Sequence, residues 1–81
     1  MKQKKDNATE DVTEKKFAER LLELRKEKGW TQAKVAQFLG VSAISYLHYE
    51  KGQRIPSLGI IVKIAQLYDV STDYLFGIAA Y

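Results

Sequence analysis

Thr31, Ser42, Ser57 and Ser71 each stand immediately ahead of a stretch with apolar residues at helical spacing, and glycine or proline closes most of the segments between them. A hydroxyl at such a point accepts from an otherwise unpartnered amide of the first turn, so the pattern confines the chain to a set of short helices. Phe17, Leu21 and Leu24 recur at the helical period ahead of Gly29, with Lys26 and Lys28 placing cations at the negative end of the dipole. A second helix carries Val35, Ala36 and Leu39 and stops at Gly40, a residue able to take the left-handed conformation of a sharp turn. A third runs from Ser42 to about Tyr49 with Gly52 as its stop, and Pro56 forbids continued helix. The fourth places Leu58, Ile61, Ile64, Ala65 and Tyr68 at the helical period, and a brief fifth behind Ser71 holds Tyr74, Leu75 and Phe76. Val41 and Val70 are single β-branched residues between a stop and a cap, and read as turn residues packing inward. Nothing reads as a strand. The expected fold is all-α, a compact five-helix bundle.

At 81 residues the chain has room for one core. Without cysteine there is neither a disulfide framework nor a thiolate metal site, which fits a reducing cytoplasm and leaves packing to supply stability. The polar N-terminus and the lack of any long apolar run exclude a signal peptide and a membrane span. Residues 1–13 are lysine-rich, acidic and nearly free of apolar groups, and are expected to form a flexible charged tail ahead of a helical domain at 14–77 and an apolar extension at 78–81. The net charge of +3 permits a polyanionic partner. Arg25, Lys26, Lys28, Lys34, Lys51 and Arg54 gather the basic charge in the centre of the chain, with Asp69 and Asp73 at the far end. Enzymatic function is disfavoured, since there is no glycine-rich phosphate loop, no cysteine and histidine pair, and no nucleophile with a base at hand. No cofactor is expected, and the single histidine, His48, has no second ligand with which to hold a metal.

From Gln32 to Lys51 two short helices flank a turn at Gly40, the layout of a helix-turn-helix but also of an ordinary helical hairpin in a small bundle. The wider pattern resembles the Cro and phage-repressor (Cro/cI-like) family. The likeness rests on Leu24-Arg25-Lys26-Glu27-Lys28-Gly29, Thr31-Gln32, Val35-Ala36, Leu39-Gly40-Val41-Ser42, Tyr49-Glu50-Lys51-Gly52, Arg54-Ile55-Pro56-Ser57-Leu58 and Val70-Ser71-Thr72-Asp73-Tyr74-Leu75-Phe76-Gly77, in that order and spacing, over about three quarters of the chain. Two positions depart from it. Trp30 stands where the family has a smaller aliphatic, and Gly59 replaces an acidic residue in the first turn of the fourth helix, at a cost of about 1 kcal/mol. The resemblance implies a lambda-repressor-like DNA-binding domain with helix 42–49 in the major groove.

At 100° per residue, Ala43, Ile44, Leu47 and His48 share one arc of the third helix and Ser45, Tyr46, Tyr49 and Glu50 the other. Both arcs carry large hydrophobes, so periodicity leaves the buried arc open. The resemblance turns Tyr46 and Tyr49 to the core and makes Ala43, Ile44, Leu47 and His48 the base-reading set, with methyl contacts to thymine and a hydrogen bond from His48 to a purine edge. The alternative left open is that Ile44 and Leu47 are core or a protein contact. Gln32, Lys34, Ser42, Ser45, Lys51 and Arg54 are the expected phosphate contacts: Gln32 opens a helix whose dipole favours an anion, and the others supply charge or a hydroxyl donor. The resemblance also implies a structural ion pair between Arg25 and Glu50.

The expectation is a transcriptional regulator of the repressor kind that binds a near-palindromic double-stranded operator as a homodimer, because so short a reading helix touches too few base pairs alone. Helices four and five with the apolar C-terminus are the expected dimer surface. The alternative is a protein-interaction module, such as an antitoxin that also binds DNA, in which Phe38, Leu22 and residues 78–81 meet a second protein, a toxin or a sensor.

Overall fold

A computed structural model describes the backbone of residues 2–80 and the side chains of residues 13–80. It contains α1 (Lys2–Lys28), α2 (Gln32–Leu39), α3 (Ala43–Glu50), α4 (Leu58–Tyr68) and α5 (Thr72–Leu75), with no strand among the described residues. The four hydroxyl residues act as caps: Thr31 Oγ1 accepts from the Lys34 amide (3.1 Å), Ser42 Oγ from Ser45 (3.0 Å), Ser57 Oγ from Ile60 (3.3 Å) and Ser71 Oγ from Tyr74 (2.9 Å). Each satisfies an amide that the helix itself cannot, a contribution of about 1 kcal/mol per cap. Gly40 closes α2 at φ 74°, which lets the chain turn sharply into α3. α4 ends differently, with Asp69 holding the left-handed conformation at φ 55°, a position that aspartate tolerates better than most non-glycine residues.

The core is one cluster built from every helix: Phe17, Leu21 and Leu24 of α1, Val35, Ala36 and Leu39 of α2, Tyr46 and Tyr49 of α3, Ile61, Ile64 and Tyr68 of α4, and Leu75 of α5. α2 packs on α3 and α4, while α1 touches α3 along one side and α5 along another. Gly77 at φ 79° lies so close to Lys16 that a Cβ there would overlap that side chain's stem, which seats the C-terminal turn directly on α1. Arg20 of α1 holds the same turn, donating to the Tyr74 carbonyl (2.8 Å) with its guanidinium 4.0 Å from the Tyr74 ring centre.

Two expectations are corrected. The boundary at residue 13 is not a helix boundary, because α1 runs back to Lys2. Lys, Gln, Glu and Ala propagate a helix well once the core has nucleated it, so a composition too polar to join a core need not stop a helix. Leu58, expected on the inner face of α4, is 80% exposed. Periodicity gives the direction of a side chain but not its depth, and this first residue of α4 projects past the neighbours that cover Ile61 and Ile64. The apolar extension is tied back, with the Ile78 and Ala79 amides donating to the Asp73 carbonyl (2.9 and 3.2 Å).

Candidate nucleic-acid interface

α3 is eight residues long, about 12 Å at 1.5 Å per residue, and presents two faces. Tyr46 is fully buried and Tyr49 nearly so, edge-on to one another at 6.3 Å. That settles the arc left open above. Ala43 is exposed and Ile44 is 63% exposed, whereas Leu47 and His48 are half-buried. The most prominent apolar projection therefore sits at the N-terminal end of α3, and Leu47 and His48 offer edges rather than whole side chains.

The C-terminal end of α3 is anchored through Glu50. Arg25 grips its carboxylate with two parallel bonds, Nε to Oε2 at 2.6 Å and Nη2 to Oε1 at 3.1 Å, and donates its remaining terminal nitrogen to the Trp30 carbonyl at 2.9 Å. Gln32 Nε2 donates to Glu50 Oε1 at 3.1 Å, so one carboxylate joins the ends of α1 and α3 to the start of α2. The side chain of Glu50 is only 4% exposed and that of Arg25 15%. Burial pushes the Glu50 carboxyl up, but Arg25, the neighbouring Tyr46 phenol and Gln32 together outweigh it and hold the group below the usual carboxylate range. The bond to Glu50 raises Arg25 further above its already high value, against the opposing effect of burial. Burial also drives the Tyr46 phenol well up and raises that of Tyr68, and neither buried hydroxyl makes a well-formed hydrogen bond.

The expected phosphate contacts fall into two groups. Gln32, Lys51 and Arg54 come together at the C-terminal end of α3: Gln32 through its bond to Glu50, Lys51 as the capping residue, and Arg54 through a loop whose amides at Gln53 and Arg54 donate back to the His48 carbonyl (2.9 and 3.3 Å). Lys51 and Arg54 are exposed, whereas Gln32 is half-buried with its side chain turned inward. Ser42 and Ser45 sit at the other end of α3 and bond to one another, Ser42 Oγ donating to Ser45 Oγ at 3.0 Å. Ser42 thereby uses its proton and one lone pair locally, and Ser45 is the hydroxyl left with a donor to offer. Lys34, in the first turn of α2, is exposed and stands apart, its ammonium 6.0 Å from the Phe38 ring centre. Sequence reasoning missed the Gln32 bond to Glu50 and the Arg20 clamp. Neither leaves a local signal, since the partners are 18 and 54 residues away in the chain. Among the described residues no group of His, Cys, Asp and Glu is placed to hold a metal, and no helix is long and apolar enough to cross a membrane.

A family model described as "Helix-turn-helix" matches residues 21–75. The chain is 42% identical over 59 residues to the HTH-type transcriptional regulator AnsR of Bacillus subtilis (strain 168), covering 73% of this chain and 51% of that protein. It is 42% identical over 62 residues to the cryptic phage CTXphi transcriptional repressor RstR of Vibrio cholerae, covering 76% and 55% respectively. The chain thus spans about half the length of these relatives. Among solved structures it is similar to the restriction-modification controller protein C.AhdI from Aeromonas hydrophila, with a TM-score of 0.70, 38% identity, and coverage of 82% of this chain and 97% of that one. The fold is also that of the P22 c2 repressor, solved in complex with synthetic operator 9T, at a TM-score of 0.73 and 24% identity over 78% of this chain and 96% of that one.

Proposed function

The chain belongs to the helix-turn-helix family, and from that premise we propose that it is a sequence-specific double-stranded-DNA-binding regulator of transcription, acting as a repressor with α3 in the major groove. The observation that carries this reading is the division of α3 into a face locked into the core by Tyr46, Tyr49 and Glu50 and an outward face led by Ala43 and Ile44. A helix with its side chains is about 10–12 Å across and fits a groove about 12 Å wide, and the N-terminal part of a recognition helix is the part that reaches base edges. Ile44, with Ala43 and the edges of Leu47 and His48, reads thymine methyls and a purine edge, while Gln32, Lys34, Ser45, Lys51 and Arg54 hold register on the phosphates. Ser42 serves chiefly as the cap of α3. RstR is a transcriptional repressor by name, and the P22 c2 structure holds an operator; both support carrying this activity to the present chain.

The reading surface is small, so two copies bind together on a near-palindromic site with half-site centres about 10 base pairs apart. Exposed Leu58, Val62 and Ile78 on and beside α4 and α5 supply apolar area for that homodimer. In this reading residues 14–77 are the binding unit, no enzymatic step is involved, and the protein works in the cytoplasm. Selection from random duplexes tests the proposal and should recover a palindrome. Ile44→Ala and His48→Ala should then lose about 1 to 3 kcal/mol on the selected site and far less on random DNA. Recovery of no palindrome, or equal losses on every sequence, would overturn the assigned reading face.

A further inference from the structure

A different surface, beside α2 where the core reaches solvent, is built around the one tryptophan of the chain. Trp30 packs on Tyr68, which is 6% exposed, at 5.9 Å between ring centres, and meets Phe38 edge-on at 5.1 Å. The three rings form a continuous stack from the core to the surface, ending at a Phe38 that remains 47% exposed. Lys28 stands 5.8 Å from the Trp30 ring centre and Lys34 6.0 Å from that of Phe38. Among the described residues neither ammonium has a carboxylate within ion-pair distance; the ion pairs there are Lys16 with Glu19 and Arg25 with Glu50. An exposed aromatic ring held rigidly from below, with cations beside it that lack acidic partners, has the makeup of an interface anchor rather than of a solvated face.

We propose that the Trp30–Phe38 stack with Lys28 and Lys34 is a docking surface for an acidic, apolar-anchored segment of another protein, which seats an aliphatic or aromatic side chain on Phe38 and carboxylates on the two lysines. Charge complementarity selects the acidic partner. Duplex DNA is the less fitting occupant, because phosphates call for donors and cations and gain nothing from a half-exposed phenylalanine. The ring stack lowers the ordering cost of binding, since Phe38 is already held by Trp30. Lys34 lies at the border between this surface and the start of α2, so the test turns on Phe38 and Lys28. The inference does not rest on the DNA-reading proposal, whose test reads Ile44 and His48.

With a single tryptophan, emission from Trp30 reports on this surface directly. The full chain is titrated with a synthetic helix-forming peptide of about 15 residues that carries glutamates around two leucines one turn apart, with glutamine and lysine versions of the same peptide as controls. The expected result is a saturable change in Trp30 emission with the glutamate peptide and little with the others. Phe38→Ala should weaken binding about tenfold or more, and Lys28→Gln should weaken it a few-fold while flattening its salt dependence. Equal binding of all three peptides, or a glutamate-peptide response that survives Phe38→Ala unchanged, would overturn the proposal. So would a Trp30 response to random duplex DNA that Phe38→Ala abolishes, which would assign the surface to DNA, or one that follows protein concentration alone, which would assign it to a second copy.

Discussion

Replacing Glu50 with alanine removes the acceptor on which Arg25 and Gln32 converge. The side chain of Arg25 is 15% exposed and would keep a single fixed partner, the Trp30 carbonyl. Stranding a buried ion-pair partner costs about 3–5 kcal/mol; that remaining bond and the partial route to water for Arg25 place this case near 3. A chain of this length holds about 4–12 kcal/mol in all, so the variant should lose a large share of its stability. With a urea slope of about 1–1.5 kcal/mol/M, the midpoint in chemical denaturation should fall by about 2–3 M. The acid limb gives an independent reading. The folded protein holds the Glu50 carboxyl below its ordinary value, so the unfolded chain takes up this proton first as pH falls. The pair's contribution is complete above the usual carboxylate range and is lost as pH drops through the lower, folded value. Glu50→Gln, which keeps shape and an acceptor but no charge, should lack that part of the acid dependence. An unchanged midpoint in Glu50→Ala, or an acid limb in Glu50→Gln that superimposes on the parent, would refute the role given to this pair.

Gly77→Ala should destabilise more than Gly40→Ala: both must hold an L residue in the left-handed region, at about 1–2 kcal/mol, but only at Gly77 does the new methyl meet Lys16, a difference that thermal melts of the two variants would read. Tyr68→Phe deletes a buried hydroxyl without a well-formed hydrogen bond, and should be neutral or gain up to about 1 kcal/mol; a loss beyond that would mean the hydroxyl has a partner. Lys51→Ala should weaken binding to selected and random duplexes alike and reduce the salt slope by about one unit, measured by titration at several salt concentrations. Unequal losses on the two duplexes would place Lys51 among the base contacts.

The starts of α2 to α5 were legible because each is set by one hydroxyl acting on an amide three residues on, a purely local interaction. The same holds for the stop at Gly40. The end of α4 was not, since Asp69 takes the left-handed role without the glycine that would announce it. Nor was the start of α1, where composition speaks about burial but not about the continuation of a helix already nucleated. On α3, periodicity divided the residues into two arcs correctly but gave no sign of which faced inward, because Ile44 and Leu47 are as apolar as Tyr46 and Tyr49. The burial of Tyr46 and Tyr49 and the grip on Glu50 decide it, and both depend on α1 and α2 rather than on α3 itself. Gln32 shows the converse. Its place at a helix N-terminus points to an anion contact, and nothing local shows that its amide also donates to a carboxylate that only the tertiary fold brings near.

The scaffold holds α3 through Tyr46, Tyr49 and Glu50, whereas Ala43 and Ile44 carry little of the packing. Surface substitutions away from packed or paired groups change stability by about 0.5 kcal/mol or less, well inside the margin that a marginally stable domain can lose. Selection can therefore exchange the outward residues of α3 almost freely, retuning what the chain recognises while its inheritance of shape passes through a different set of positions. Descendants of one ancestor can part ways in target preference without passing through unstable intermediates, and the two sets of residues should drift at different rates.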